Sequence, residues 1–183
     1  MAIIRVSGHL GAGKTTVCEK LAKALGYKNH YTGDVFRQLA KERGLSIEVF
    51  YKQMVDSPEL EKEIDNRQEK LMLSEDNLIV QGRIAPFLSW NPDYKKINLF
   101  FQVSDEEGAR RQLKRKENQS KTFEEMLRLS KERTEEECQR YRILYPHIAD
   151  YLDEKSFDIV IDTTDSNEEM VFTETLNKIK PLI

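Results

Sequence analysis

The sequence predicts an α/β fold: a five-stranded parallel sheet with helices on both faces. Short apolar runs alternate with amphipathic helical patterns along the whole chain. The runs at Leu78–Gln81 and Ile97–Val103 lack the polar alternation of a half-exposed strand and read as strands buried on both faces. Residues 8–15, Gly-His-Leu-Gly-Ala-Gly-Lys-Thr, follow the apolar run Ile3-Ile4-Arg5-Val6 directly and spell G-x-x-x-x-G-K-[ST] between a strand and a helix. A chain of 183 residues with 39% apolar side chains suits one domain, 1–183, with one sheet-centred core.

The first strand is read over about Ala2–Val6. A helix over Lys14–Leu25 follows from the stripe Val17, Leu21, Ala22 and Leu25, and Gly26 stops it. Tyr27–Tyr31 is extended and leads to Thr32-Gly33-Asp34, where Thr32 or Asp34 caps a helix closed by Gly44. Ser46–Val55 is a short amphipathic helix, and Ser57-Pro58 opens another that runs to about Ser74. After the strand at Leu78–Gln81 and the strand at Ile97–Val103, Asp105–Lys116 is helical and Asn118–Lys121 breaks it. Thr122-Phe-Glu-Glu125 is a capping box for a long helix to Leu144. Phe157–Ile161 is the last strand, and Ser166-Asn-Glu-Glu169 reads as a second capping box for the C-terminal helix.

Composition narrows the function. A net charge of −3 leaves no nucleic-acid footprint, and no run approaches a membrane span. No leader pattern is expected at the N-terminus, and Cys18 and Cys138 lie far apart without His partners. Reduced thiols and a cytoplasmic location are the expectation.

The phosphate loop carries the first chemistry. Gly8 and Gly13 permit backbone angles that turn successive N–H groups inward around a phosphate, and the helix N-terminus adds partial positive charge. Loop residues Gly8, His9, Leu10, Gly11, Ala12, Gly13, Lys14, Thr15 and Thr16 are therefore the candidate ATP site. Lys14 reaches the β- and γ-phosphates, and Thr15 offers its hydroxyl to Mg2+. In a parallel sheet the other strand tips gather on the same edge, which brings Thr32–Asp34, Gln81–Arg83 and Thr163-Thr164 beside the loop. Arg37 lies one turn beyond Thr32, and Arg83 follows Gly82 at a strand end. Arg133 and Arg140 share a face of the long helix with Glu137 between them, although such spacing also suits a solvated surface.

Taken together, these residues resemble the nucleoside monophosphate kinases, most closely the short archaeal-type cytidylate kinases. The resemblance covers nearly the whole chain. It rests on the phosphate loop, Thr-Gly-Asp-Val-Phe-Arg at 32–37 with Leu-Ala-Lys-Glu-Arg-Gly after it, Glu-Ile-Asp-Asn-Arg-Gln at 63–68, Gln-Gly-Arg-Ile-Ala at 81–85, Arg111 and Arg115, Arg133-x3-Glu137-x2-Arg140-Tyr141, and Asp158-Ile-Val-Ile-Asp-Thr163. It implies a three-layer P-loop kinase fold with a monophosphate-binding segment at about 34–75 and a lid at about 105–133. The implied reaction is ATP-dependent, Mg2+-assisted phosphorylation of CMP and dCMP by a monomer. Arg37 and Arg83 would grip the acceptor phosphate. Arg111, Arg115 and Arg133 would neutralise the moving phosphoryl group, and Arg140 would bind acceptor phosphate with Glu137 orienting its neighbours.

The chain departs from the family pattern in places. Gln81 stands where a carboxylate usually precedes the Gly-Arg pair, leaving an amide to hold a metal-bound water. Gly108 stands where the lid often has an arginine, and His9 and Leu10 replace smaller loop residues. Cytosine presents an amine at N4 beside acceptors at N3 and O2. Asp65, Arg67 and Gln68 supply matching groups in one helical turn, with Asp65 and Gln68 on the same side at i, i+3. Tyr31, Phe36 and Tyr51 are candidates to stack on the base, core packing being the stronger reading for Phe36. Two other readings stay open: a kinase of another small acceptor (a different nucleotide, a sugar acid or an antibiotic), and a nucleotide-dependent switch without catalysis. No Asn-Lys-x-Asp motif supports a guanine switch, and a silent binder has little need of arginines beyond Lys14.

Overall fold

A computed structural model describes residues 1–148 and 150–183, with the backbone alone for Glu48, Asp56 and Pro58. Five parallel strands, β1 (Ala2–Gly8), β2 (Lys28–Tyr31), β3 (Leu78–Gln81), β4 (Lys95–Gln102) and β5 (Ile159–Asp162), form one sheet in the order β2-β3-β1-β4-β5. Among the described residues, seven α-helices connect and cover them: α1 (Lys14–Leu25), α2 (Thr32–Glu42), α3 (Ile47–Asp56), α4 (Pro58–Ser74), α5 (Asp105–Leu113), α6 (Phe123–Leu144) and α7 (Glu168–Ile179). β1 is central and buried along its length, with Val6 in register with Gln81 on one side and Leu99 on the other.

The pleat sorts the core into two layers. Ile4 and Val6 face α1 and α7 with Val17, Leu21, Phe101 and Val171. Ile3, Leu78 and Val80 face the layer of α4 and α6 with Met72, Tyr141 and Tyr151. Arg5 points into this second layer, where its guanidinium donates to Asn98 Oδ1 (2.9 Å) and the Leu88 carbonyl (2.8 Å) and lies over Trp90. Residues of α2, α3 and α4 pack around a third cluster of their own, Leu39, Ala40, Phe50, Met54 and Ile64.

Several predicted boundaries shift for identifiable reasons. β1 continues to Gly8 because its ladder with β4 runs on to Phe101. β4 begins at Lys95 and stops at Gln102, and β5 runs Ile159–Asp162, its register starting at Leu99↔Ile159. α5 ends at Leu113, where Asn118 Nδ2 caps the Gln112 carbonyl at 3.0 Å. The α2 cap is neither Thr32 nor Asp34: the helix begins at Thr32 itself, whose hydroxyl is spent on the Gln81 carbonyl. The last helix is capped by Asn167, which accepts from the Met170 N–H at 3.0 Å, so the second capping box is replaced by a single cap. The box at Thr122 and Glu125 forms with both bonds.

Candidate active site

The carboxyl ends of β1, β2 and β3 open into a cavity of about 370 Å³. That is within the roughly 300–1,000 Å³ typical of small-molecule sites. One end is the phosphate loop: Leu10, Gly11, Gly13, Lys14, Thr15 and Thr16 line it. Gly8 and Ala12 lie behind that surface, and His9 turns away, its Nδ1 3.0 Å from the Val103 carbonyl oxygen and its ring edge-on to Phe100. The Lys14 ammonium donates to the Gly8 and His9 carbonyls at 2.8 and 2.5 Å, which folds the side chain back across the loop. Desolvation, then the nearby positive charge of Arg83, lowers its proton affinity. An anion bound in the loop relieves both effects.

Gly108 explains part of the loop's shape. A Cβ there would stand 2.6 Å from the Leu10 carbonyl oxygen, and one on Gly11 would stand 2.4 Å from the Gly108 oxygen. Helix α5 thus abuts the phosphate loop backbone to backbone, and the position has no room for the arginine of the family pattern.

Four arginines, Arg83, Arg115, Arg133 and Arg140, line the cavity beyond Lys14. Arg83 Nε donates to Glu137 Oε2 at 2.7 Å and its NH1 to the Gly8 carbonyl at 3.0 Å, so it bridges α6 and the loop. Desolvation alone would lower the Arg83 pKa, but the Glu137 carboxylate outweighs it and holds the group charged. Glu137 also takes Arg133 Nε at 2.9 Å, and the two arginines overcome its own burial and keep it ionised. Arg140 Nε donates to Glu61 Oε2 at 2.6 Å, joining α6 to α4.

The far end is built by α4. Glu61, Asp65 and Gln68 recur at i, i+4 and i+7, one face of the helix, and all three are buried on the cavity wall. Asp65 Oδ2 accepts from the Tyr145 hydroxyl at 2.5 Å. Desolvation, with Glu61 and Glu69 nearby, pushes the Asp65 carboxyl up to about 7 against the pull of that hydrogen bond. Apolar walls come from Phe36, Met54 and Ile64, with Tyr31, Tyr51 and Tyr141 beside them.

Among the candidates from sequence, Thr32, Gly33, Gln81 and Gly82 also reach the cavity wall. Asp34, Arg37, Arg67 and Arg111 do not line it. Arg37 pairs with Asp34 at 2.5 Å on the exposed face of α2. Arg67 is held by Glu42 at 2.9 Å and by Glu63, tying α4 to α2. Arg111 donates to the Thr163 and Thr164 carbonyls at 2.6 and 3.2 Å, on the loop after β5. Sequence reading missed Glu61 and Tyr145. The i, i+4, i+7 polar stripe of α4 was a usable signal for Glu61. The Tyr145 contact joins residues 80 positions apart and left no local trace.

Thr15 and Gln81 suit a magnesium ion held mainly by phosphate oxygens and water. Both line the cavity, and the Gln81 Oε1 is buried without a hydrogen-bond partner among the described residues while its Nε2 donates to Asn29 at 2.7 Å. An unpaired amide oxygen at that place is an acceptor for a metal-bound water.

A central strand ending in a phosphate loop, with a cationic cavity at the same sheet edge, is the architecture of the P-loop kinases. Residues 4–142 match the family model described as an AAA domain. The chain is 37% identical over 171 residues to a cytidylate kinase of Pyrococcus furiosus, covering 93% of this chain and 84% of that one. It is 32% identical over 188 residues to a cytidylate kinase of Methanopyrus kandleri, covering 99% and 94%. A shikimate kinase from Bacteroides thetaiotaomicron shares the fold, with a TM-score of 0.61 and 14% identity over 99% of this chain and 97% of that one. The chain belongs to the cytidylate kinase family and is a nucleoside monophosphate kinase. No helix among the described residues is long and apolar enough to cross a membrane.

Proposed function

We propose that the protein transfers the γ-phosphoryl group of ATP to CMP, with dCMP as a second acceptor, with Mg2+. The observation that carries this reading is one continuous cavity, with a phosphate loop at one end, arginines in the middle and the Asp65–Gln68 face of α4 at the other. The kinship with cytidylate kinases supports the choice of base. The single domain reads as a core with two mobile parts, an acceptor-binding segment at 34–75 and a lid at 105–133. The separate apolar cluster under α2, α3 and α4 supports the first of these, since a segment with its own core moves as a unit.

In this reading ATP lies along Gly8–Thr16, and Lys14 exchanges its two loop carbonyls for phosphate oxygens. Arg83, braced by Glu137, and Arg140, braced by Glu61, hold the acceptor phosphate. An oxygen of that phosphate attacks the γ-phosphorus, and the bond from phosphorus to the bridging oxygen of ADP breaks. Arg115 and Arg133 neutralise the charge on the moving group. The acceptor oxygen is already ionised near neutral pH, so no general base is required. Thr15, and Gln81 through a water, would hold Mg2+, which would supply further charge neutralisation on the phosphates. Arg37 joins the acceptor phosphate when the 34–75 segment closes and Asp34 releases it. Arg111, fixed on the loop after β5, serves the donor side. Base recognition rests on Asp65 and Gln68, since Arg67 is committed to Glu42 and Glu63.

The test is an acceptor panel of CMP, dCMP, UMP, AMP and gluconate with ATP-Mg, read as ADP formed. Turnover of CMP and dCMP above the others is expected. Turnover of gluconate alone would replace the acceptor, and ADP formation that no acceptor stimulates would favour a switch.

A further inference from the structure

The acceptor end of the cavity contains a chain of hydrogen bonds whose direction is dictated by a group that only accepts. The Gln81 backbone carbonyl takes the Thr32 hydroxyl proton at 2.6 Å. A hydroxyl has one proton, so the Thr32 oxygen is left as an acceptor for its next neighbour. That neighbour is the Gln68 side chain, which turns its Nε2 toward Thr32 at 2.5 Å. The Gln68 Oε1 is thereby presented on the opposite side of the amide. It is buried and has no hydrogen-bond partner among the described residues. Turning the amide over would set Oε1 against the Thr32 oxygen, two acceptors in contact with no proton between them.

Gly82 makes room for this relay. A Cβ on Gly82 would stand 2.5 Å from Thr32 Oγ1 and 3.1 Å from Gln68 Oε1. Its φ is not among the positive glycine angles, so space rather than backbone conformation calls for glycine here. Gln81, Gly82, Thr32 and Gln68 all lie on the cavity wall.

We infer that Thr32 is a positioning residue that locks Gln68 as a hydrogen-bond acceptor, so that the site selects nucleobases carrying an exocyclic amine over those with a carbonyl at the same place. The inference rests on the cavity being the acceptor-nucleotide site. The 4-amine of cytosine donates to Oε1 and satisfies it. Uracil places a carbonyl oxygen there and leaves two acceptors facing each other. The two bases have nearly the same size, so the apolar walls separate them poorly and this polar contact decides. The same logic favours adenine over hypoxanthine.

The experiment is kcat/KM for CMP and UMP with wild type, Thr32→Ser, Thr32→Val and Gln68→Leu. The ratio of the two values on one preparation is independent of the fraction of active enzyme. Wild type and Thr32→Ser are expected to favour CMP by about tenfold to hundredfold, the range for one unpaired buried polar group. Thr32→Val and Gln68→Leu are expected to bring the ratio to within about threefold. A purely structural role for Thr32 would lower both activities alike, and an unchanged ratio in Thr32→Val would overturn the inference. Equal use of CMP and UMP by wild type would also overturn it. If Thr32→Val does not fold, the ratio in Gln68→Leu decides. If AMP proves to be the acceptor instead of CMP, the proposed function fails, and the AMP-to-IMP ratio in the same variants decides the inference separately. If no nucleotide is phosphorylated, both fall.

Discussion

Replacing Asp65 by Asn tests how the α4 wall of the cavity is held together. The side chain is buried, and its carboxyl is displaced from its ordinary 3.8 to about 7 by desolvation and by the nearby Glu61 and Glu69. A carboxyl that binds its proton more tightly in the folded chain makes stability fall as pH rises between the two values. The displacement is about 3 pH units, and at 1.36 kcal/mol per unit the loss reaches about 4 kcal/mol above pH 7. Asn has nearly the same shape, stays neutral and still accepts from the Tyr145 hydroxyl. Urea unfolding of wild type and Asp65→Asn at pH 4, 5, 6, 7 and 8 isolates this group, because the remaining titrations occur in both proteins. The stability of the variant relative to wild type should climb steadily with pH and level off above 7, with a total change on the order of 4 kcal/mol. A difference that stays constant from pH 4 to 8 would refute the desolvated, raised carboxyl.

Lys14→Ala should lower kcat by about a hundredfold or more without lowering the urea midpoint, since it removes a half-buried charge bonded, among the described residues, to loop carbonyls alone. Arg133→Ala should lower kcat by about a hundredfold with little change in the KM for ATP, because the half-exposed guanidinium is braced by Glu137 alone among the described residues; equal losses in both constants would refute the proposed lid role. Gly108→Ala should destabilise by about 1–3 kcal/mol and raise the KM for ATP, because its Cβ meets the Leu10 carbonyl. Helix propensity alone predicts the opposite for Gly108→Ala, so a more stable variant with unchanged ATP affinity would disprove the close contact.

Periodicity and local signals located most of the frame. The α1 and α6 limits follow from an apolar stripe, Gly26 and the Thr122 capping box, all of them interactions within a few residues. The motif at 8–15 and the strand-helix alternation placed the loop at the sheet edge. The i, i+3 spacing put Asp65 and Gln68 on one face of α4, and both line the cavity. Thr32 misled as a cap because its hydroxyl has a better partner in Gln81, 49 positions away, which no local rule weighs.

The phosphate loop and the layered parallel sheet were legible along the chain, because each depends on short-range geometry or on a motif whose backbone makes its own site. Tertiary structure alone decided which of the arginines share the cavity. Arg83, Arg115, Arg133 and Arg140 do, whereas Arg37, Arg67 and Arg111 are held elsewhere by Asp34, by Glu42 and Glu63, and by the loop after β5. It also decided the raised carboxyl of Asp65 and the facing of the Gln68 amide. Burial depth and hydrogen-bond direction arise where distant segments meet, and a linear pattern carries neither.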